Sequence, residues 1–293
     1  MRHLVYLSHS STDIHLETIY SIYSYWNANP ADVNIILYTD NQRFFEPYLN
    51  PLIVSYEVID EKMLATYKGP QDFIHRVKIC ILLDALEKYK GSFFFFDSDT
   101  YFTRSIENDF AKVEEGVLYM HMYEKNLDRS LVYGPLLNRT VTINGQEKRL
   151  DKTVEVWNAG ALGLTNSAHS LVQQALRMTD DLLQVYNKHI IEQLAFSYVF
   201  QKNSKLNAIS DSVFHYWNLK EFRTHLRKIF ESPLAKDPQS LLKITSRVTP
   251  VTLVSEKAAW KKRGLARLFQ RMSGEKFQLQ PLPEIEHLLE PLA

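Results

Sequence analysis

The sequence of 293 residues lacks the marks of several large classes of protein. Its single cysteine, Cys80, excludes an intramolecular disulfide, and the apolar helical pattern around it indicates a small buried side chain. No stretch approaches the roughly 18 consecutive apolar residues of a transmembrane helix. The first residues also lack the long apolar core of a secretory signal peptide, so we expect a cytoplasmic protein.

Excess charge of one sign and glycine-rich segments are also missing. Lys and Arg number 34, Asp and Glu number 34, and the formal net charge is zero, which gives no support for a nucleic-acid partner. The nine glycines form no phosphate-binding loop, and no internal repeat is visible. The remaining composition, 45% hydrophobic and 23% charged, is that of a globular protein with a full core.

The first hundred residues alternate between strand-like and helix-like segments. Predicted strands cover 4–7, 33–39, 53–59 and 93–96, and helical spacing covers 16–26 and 73–86. This β-α-β-α-β order predicts an α/β fold with a mostly parallel central sheet flanked by helices.

The second half of the chain is less regular. Further predicted strands are 117–121, 154–164 and 206–209, and further predicted helices are 168–186 and 189–200. The polar segment 123–152 is too long for a simple connection and predicts a functional loop or ribbon, with Asn144-Gly145 as its hairpin turn.

The composition changes near Pro233, where apolar residues become sparse and prolines appear. We therefore place a domain boundary there, with a first domain at 1–232 and an extension at 233–293. Residues 256–272 show a basic amphipathic helical pattern, and the last residues look like a loose tail. The basic helix has two interpretations: it lies on an anionic membrane surface, or it docks on the first domain.

The most informative segment is 93–99, Phe-Phe-Phe-Phe-Asp-Ser-Asp. The aromatic run predicts a strand buried on both faces, and ligands bind at the carboxyl ends of such strands. Side chains two apart on a strand face the same way, so Asp97 and Asp99 can address one ion. Mg²⁺ and Mn²⁺ suit carboxylate and phosphate oxygens. The alternative is structural, with the two acids as a helix cap and a turn former.

Two further features contain residues suited to the same site. Arg76, with Lys78 nearby, offers a cation for the carboxylates or for a phosphate, or else belongs to a solvated helix face. Asn158-Ala159-Gly160 combines an amide with two small residues that let a ligand approach the backbone, which suits a sugar ring. Its structural alternative is a tight entry into the following apolar strand.

Two later features also combine chemistry with a structural alternative. Glu192-Gln193 can bind hydroxyl groups or supply a general base, but acids are also favoured near helix starts. His215, in Phe-His-Tyr-Trp, is either a third metal ligand or a histidine packed among aromatic residues.

Together these segments resemble the GT-A fold of nucleotide-sugar-dependent glycosyltransferases, and in particular the family-8-type group. The resemblance covers about residues 1–220 and lies in the Arg-containing helix, FFFFDSDTYF, WNAGALGL, the IEQ helix and FHYW. It implies a Rossmann-like GT-A catalytic domain over 1–232 followed by a helical C-terminal extension. It also implies metal-dependent sugar transfer from a nucleoside-diphosphate sugar to a carbohydrate, lipid-linked or protein acceptor.

The resemblance also implies roles for individual residues. It makes Asp97, Asp99 and His215 the ligands of Mn²⁺ or Mg²⁺, and Glu192, Gln193 and Asn158 the residues of the reaction centre. The donor-binding residues that it implies are Ser8, His9, Ser10, Arg76, Asp97, Ser98, Asp99, Ala159, Gly160 and Lys220. It implies that Ser8, His9 and Ser10 hold the nucleotide, and that Ala159 and Gly160, with Asn158, contact the donor sugar.

The chain departs from the group's pattern at two places. The usual Asp-Gln pair is Glu192-Gln193, and the ending H-x-x-G-x-x-K-P-W is absent after His215, where Lys220 is the candidate substitute for the phosphate-binding lysine. The resemblance favours retention of configuration at the sugar, while Glu192 as a base would favour inversion.

Two other functions fit parts of the sequence. A phosphotransferase or phosphatase of the haloacid-dehalogenase type also places D-x-D after an apolar strand, but it wants Thr or Val two residues later, where this chain has Tyr101. A nucleotide-sugar-binding protein without turnover is the second alternative. Retention of a costly acidic pair argues against it.

Overall fold

The computed structural model describes residues 1–29, 33–143, 146–261, 267, 272–274 and 276–279. Its strands are β1 (Arg2–Ser8), β2 (Asn34–Thr39), β3 (Val54–Val58), β4 (Ser92–Phe96), β5 (Thr100–Phe102), β6 (Leu118–Asn126), β7 (Thr140–Ile143), β8 (Gln146–Arg149), β9 (Glu155–Thr165), β10 (Leu206–Ala208) and β11 (Val213–His215). Its α-helices are α1 (Thr12–Ala28), α2 (Gln42–Leu49), α3 (Glu61–Lys68), α4 (Arg76–Lys88), α5 (Glu107–Glu114), α6 (His169–Val185), α7 (Ile191–Asn203), α8 (Phe222–Glu231), α9 (Pro238–Arg247) and α10 (Pro250–Trp260).

Seven strands form one central sheet in the order β10-β6-β9-β4-β1-β2-β3. Neighbouring strands run parallel except at β9, which is antiparallel to both β4 and β6. The predicted α/β fold with a mostly parallel sheet is therefore confirmed. The predicted strands and helices of the first domain all occur, whereas the sequence patterns did not indicate α2, α3, α5 and α8.

The aromatic strand β4 lies in the middle of the sheet and is buried on both faces, as its sequence predicts. Phe93 and Phe95 face a core cluster that includes side chains of α4, α6 and α7. Phe94 and Phe96 face a second cluster, which includes side chains of α1, α5 and α8. The alternation of side chains along this strand thus supplies both layers of the core.

We expect Phe94→Ala to lower the free energy of unfolding by about 3–5 kcal/mol. Phe94 is fully buried, and its ring centroid lies 4.9 Å from that of Phe110, so truncation leaves a cavity that its neighbours cannot fill. Urea denaturation followed by circular dichroism measures the change. Leu131→Ala is the control, because Leu131 is 98% exposed and its truncation should change the free energy by less than about 0.5 kcal/mol. Equal effects of the two substitutions would contradict this packing.

The polar segment 123–152 contains the end of β6, two short 3-10 helices at Leu127–Arg129 and Gly134–Leu136, and a ribbon of β7 paired antiparallel with β8. Two residues separate the paired strands, which is the spacing that the predicted hairpin requires. The turn itself, Asn144-Gly145, lies outside the described residues.

The described residues from 233 onward pack against the rest of the chain, and the domain boundary near Pro233 stays a prediction. Leu241, Ile244 and Leu253 belong to the same core cluster as α1, and the Tyr101 hydroxyl donates to the Thr245 carbonyl at 2.8 Å. Lys257 Nζ donates to both oxygens of Glu221, at 2.8 and 2.6 Å. Much of the predicted basic helix, including 262–266 and 268–271, and the tail from 280 lie outside the described residues. In the part of the chain that the structure describes, no helix has the length and apolar character needed to cross a membrane.

Candidate active site

A cavity of about 1000 Å³ opens at the point where the strand order of the sheet reverses. From β1 the sheet grows through β2 to β3, and β4 is then added on the other side of β1. The carboxyl ends of β1 and β4 therefore border a crevice, which is where open α/β sheets bind ligands. Leu7 near the end of β1, His9 after it, and Asp97, Ser98 and Asp99 after β4 line this cavity.

The two aspartates follow β4 in a tight turn. The sequence analysis expected strand alternation to bring the two carboxylates together. That expectation is wrong, because the strand ends at Phe96, before both aspartates. A turn through Ser98 leads instead into the short strand β5, which pairs antiparallel with β11 and sets Thr100 opposite His215. This pairing brings His215 from more than a hundred residues away to the acidic turn.

Asp97, Asp99 and His215 form a group that could hold a metal ion, since one ligand atom of each lies within 4.8 Å of the others. His215 Nε2 lies 3.0 Å from Asp99 Oδ1 and 3.7 Å from Asp97 Oδ2. Adjacent ligands around an octahedral ion bound at 2.0–2.1 Å are about 3 Å apart. The His215–Asp99 spacing matches that value, and two carboxylates with an imidazole form a donor set that could hold a divalent cation.

Positive side chains compensate the acids in this structure. Asp99 is only 7% exposed, and its second oxygen lies 2.6 Å from Lys220 Nζ. Burial by itself raises the pKa of a carboxyl, but His215 and Lys220 outweigh it and hold the pKa of Asp99 well below its usual range. Asp99 is therefore ionised at neutral pH.

Lys78, rather than Arg76, is the α4 cation that lines the cavity. Lys78 is buried, and its Nζ lies 2.9 Å from Asp97 Oδ1 and 3.1 Å from the Ala159 carbonyl oxygen. Burial lowers the pKa of Lys78, but Asp97 and Glu192 raise it by more, so the amine stays charged. Arg76 is not among the lining residues, because its guanidinium makes a bidentate pair with Asp180 at 2.7 and 3.0 Å.

Asn158, Ala159 and Gly160 lie on β9 and line the cavity. The small size of Gly160 has a structural cause: a Cβ atom there would lie 2.1 Å from His215 Nδ1. The sequence argument assigned this smallness to a sugar ring, whereas in the structure the imidazole of His215 occupies the space. Glycine at this position is what allows the ring to lie against β9.

Glu192 and Gln193 line the cavity from the first turn of α7. Glu192 is buried, with one oxygen 3.7 Å from Lys78 Nζ, while Oε2 has no hydrogen-bond partner among the described residues. A buried carboxylate oxygen without a partner is costly, so its position at a ligand cavity indicates a group that meets a ligand. Gln193 is held by its neighbours, accepting from the Ala159 amide at 3.3 Å and donating to the Tyr133 hydroxyl at 3.1 Å.

Of the three residues predicted to hold the nucleotide, Ser8, His9 and Ser10, only one lines the cavity. His9 lines the cavity, whereas Ser8 is buried with its hydroxyl 3.0 Å from His15 Nδ1. Ser10 is not among the lining residues. Its backbone N–H donates to Asp40 Oδ2 at 2.7 Å, with a positive φ of 69° that shapes the turn after β1.

Several lining residues were not singled out individually from the sequence. They include His121, Tyr123 and Glu124 on β6, Tyr133 in the segment that follows, and Trp217 after β11. Burial and then His215 lower the pKa of His121 to about 4, so this ring is neutral at pH 7. The alternation of side chains along a regular strand does not predict which β6 residues face the cavity, because β6 and β9 pair with register shifts there.

No family model and no curated protein matches the sequence. Among solved structures, mouse xyloside xylosyltransferase 1 in its apo form is similar at a TM-score of 0.49 and 12% identity, over 71% of this chain and 85% of that one. The galactosyltransferase LgtC, in complex with donor and acceptor sugar analogues, is similar at a TM-score of 0.49 and 11% identity, over 70% and 72%.

The glycosyltransferase GlyE of Streptococcus pneumoniae TIGR4 is similar at a TM-score of 0.44 and 16% identity, over 81% of this chain. The match covers 53% of GlyE, so this chain spans about half the length of that protein. These similarities concern the course of the backbone. The function proposed below therefore rests on the side chains of the cavity.

Proposed function

We propose that this chain is a metal-dependent glycosyltransferase of the GT-A fold that uses a nucleoside-diphosphate sugar as donor. The observation that carries the proposal is the meeting of Asp97, Asp99 and His215 at the carboxyl end of β4, inside a cavity of about 1000 Å³. A cavity of this size matches a drug-sized or larger ligand. An oxygen-rich metal site beside lysine side chains suits a diphosphate.

The chemistry of the cavity fits the departure of a nucleoside diphosphate from a sugar. A bound Mn²⁺ or Mg²⁺ would supply the charge that stabilises the leaving diphosphate without proton transfer. Lys220, half exposed at the cavity wall, can exchange Asp99 for a phosphate oxygen. Lys78 is buried behind Asp97 and keeps that carboxylate and Glu192 in place.

We assign the donor as the sequence resemblance implies, with His9 on the nucleotide side and Asn158, Ala159 and Gly160 on the sugar side. Glu192, with its free Oε2, then faces the reacting sugar. Retention of configuration and inversion by Glu192 as a base remain alternative mechanisms, and product stereochemistry by NMR separates them. Ser8, Ser10 and Arg76 can act on the donor only through the residues that line the cavity.

We expect Glu192→Gln to lower kcat by about 100- to 10,000-fold while the affinity for the nucleoside diphosphate stays the same. The amide keeps the size of the side chain but cannot accept a proton or form a bond to the sugar carbon. Steady-state kinetics and calorimetry measure the two quantities. Glu87→Gln, an exposed glutamate on α4, is the matched control. An unchanged kcat would leave Glu192 as a structural helix-start residue.

Incubation with a panel of nucleotide sugars and Mn²⁺ tests the function itself. Release of nucleoside diphosphate from one donor, faster with an acceptor present, supports a transferase. Release of inorganic phosphate from a phosphate monoester such as p-nitrophenyl phosphate, with no nucleoside diphosphate released from any nucleotide sugar, would instead favour a phosphotransferase or phosphatase. Tight donor binding without any release would favour a binding protein without turnover.

The acceptor and the cellular location stay predictions. We propose a carbohydrate, lipid-linked or protein acceptor, bound next to the segment 123–152, because Tyr123, Val132 and Tyr133 of this segment line the cavity. We also propose a cytoplasmic protein and leave a peripheral membrane contact of the basic helix as an alternative. Co-sedimentation with anionic liposomes, with and without residues 250–293, tests that contact, and equal sedimentation would contradict it.

A further inference from the structure

Glu124 occupies an irregular position on β6. Residue Tyr123 pairs with Trp157 and Lys125 pairs with Val156, so Glu124 is an extra residue in the strand opposite β9. Such bulges re-aim a side chain and are frequent beside active sites. Here the bulge puts the carboxylate of Glu124 on the cavity wall, next to Asn158.

The carboxylate of Glu124 receives two amide groups. Its Oε1 accepts from Asn158 Nδ2 at 3.1 Å, and its Oε2 accepts from Gln193 Nε2 at 3.4 Å. An ionised carboxylate can only accept hydrogen bonds. Both side-chain amides must therefore turn their NH₂ groups toward Glu124 and their oxygen atoms away from it.

The oxygen of Asn158 is thereby fixed on the opposite side. It accepts from the Gly160 backbone N–H at 2.9 Å, a contact that only an oxygen can make, so two independent contacts set the same orientation of the amide. The same Asn158 Oδ1 lies 3.0 Å from His215 Nδ1. His215 Nδ1 must therefore carry a proton and donate it to Asn158.

This hydrogen bond determines the other side of the imidazole ring. Nε2 lies 3.0 Å from Asp99 Oδ1, a distance at which a charged ring with both nitrogens protonated donates to that carboxylate. When the ring is neutral, its one proton is the proton on Nδ1, and Nε2 carries a lone pair. A lone pair that faces a carboxylate oxygen is repulsive unless a cation lies between them. The arrangement therefore leaves Nε2 available to the cation that Asp97 and Asp99 attract.

We propose that Glu124 is a positioning residue that acts through Asn158 to hold His215 in the Nδ1–H form, with Nε2 directed at the metal site. The inference rests on the proposed function, because it assigns the metal of that site. It gives Asn158 a role that the donor sugar does not explain, and it predicts that Glu124 never touches the metal.

Calorimetric titration with Mn²⁺ and ¹⁵N NMR of the histidine rings in the Mg²⁺-loaded chain test the inference. Glu124→Ala and Asn158→Ala should each weaken Mn²⁺ binding by about 10- to 100-fold and alter the His215 ring signals. Glu124→Gln should recover much of the affinity, because its amide oxygen can still accept from Asn158. Glu147→Ala, an exposed glutamate on β8, should match the wild type in both measurements.

Two outcomes overturn the inference in distinguishable ways. If the wild-type chain binds Mn²⁺ and Glu124→Ala binds it equally well with unchanged ring signals, Glu124 does not position His215, and the proposed function stands. If the wild-type chain binds no divalent cation, both the inference and the proposed metal site fail. Far-UV circular dichroism of each variant separates these results from a loss of folding.

Discussion

Asp99→Asn is expected to reduce metal-dependent sugar transfer by about 100- to 1000-fold or more. Asp99 is the more buried of the two aspartates and faces both His215 and Lys220, at 3.0 and 2.6 Å. The amide keeps the shape of the side chain but removes the charge that attracts the cation. It also leaves the positive charge of Lys220 without its carboxylate partner, which further disfavours a divalent ion.

The loss must be separated from a loss of structure, because breaking a buried ion pair destabilises a protein. Far-UV circular dichroism and a thermal melt report whether Asp99→Asn folds. Asp97→Asn, at the more exposed aspartate of the same site, tests the loss of activity with a second variant. The control is Asp211→Asn, since the Asp211 side chain is 88% exposed and pairs only with Arg104 at the surface in the described structure. Equal activity of Asp99→Asn and the wild type would contradict the assignment of the site.

Gly160→Ala is the second change with a large expected effect. Its new methyl group would lie 2.1 Å from His215 Nδ1, a distance that no real contact allows, so the imidazole must move away from β9. The move breaks the Asn158–His215 hydrogen bond and withdraws the proposed third metal ligand. We expect Mn²⁺ affinity to fall at least about 100-fold, and overpacking to cost about 1–3 kcal/mol in the free energy of unfolding.

The matched control for this change is Gly134→Ala, because a Cβ atom at Gly134 meets nothing within 4 Å and the residue has no positive φ. Calorimetry with Mn²⁺ and a urea melt compare the two alanine variants with the wild type. If Gly160→Ala binds Mn²⁺ as well as Gly134→Ala does, His215 is not a ligand, and the proposed site would reduce to the two aspartates.

Much of the sheet could be predicted because its strands are continuous apolar runs. The Phe93–Phe96 run could only be a strand buried on both faces, and the structure places it between the two core layers. The same run also led to Asp97 and Asp99 as the centre of the site. Hydrophobic patterning was less useful for α2, α3 and α5, which are eight-residue helices with few buried positions.

The fine structure of the site could not be predicted, since it depends on helix phase and on long-range pairing. Arg76 and Lys78 are two residues apart, which places them about 200° apart around a helix, so only one of them can point at the cavity. The sequence argument preferred Arg76 for the donor, whereas α4 presents Lys78 to the cavity. His215 reaches Asp99 through the three-residue strands β5 and β11, whose pairing has no signature in the sequence.

The position of Glu124 at the cavity could not be predicted from the sequence for a further reason. It stands in a polar segment among other charged residues, and only the bulge opposite β9 distinguishes it from them. A bulge depends on the register of two strands, and the residues that pair beside Glu124 are more than thirty positions apart in the sequence. Gly160 was correctly predicted as a site residue, but for a different reason. The sequence analysis expected its small size to admit a ligand, whereas in the structure the missing Cβ makes room for His215.

The central claim is that Asp97, Asp99 and His215 bind a divalent cation together with the diphosphate of the donor. A thermal-shift titration of the wild-type chain with nucleoside diphosphates of each base, with Mn²⁺ or with EDTA, tests it most directly. The account predicts that one nucleoside diphosphate stabilises the chain in Mn²⁺, by about 2.7 kcal/mol at a hundred times its Kd, and not in EDTA or in Asp99→Asn. Stabilisation of equal size with EDTA, or in Asp99→Asn, would contradict it.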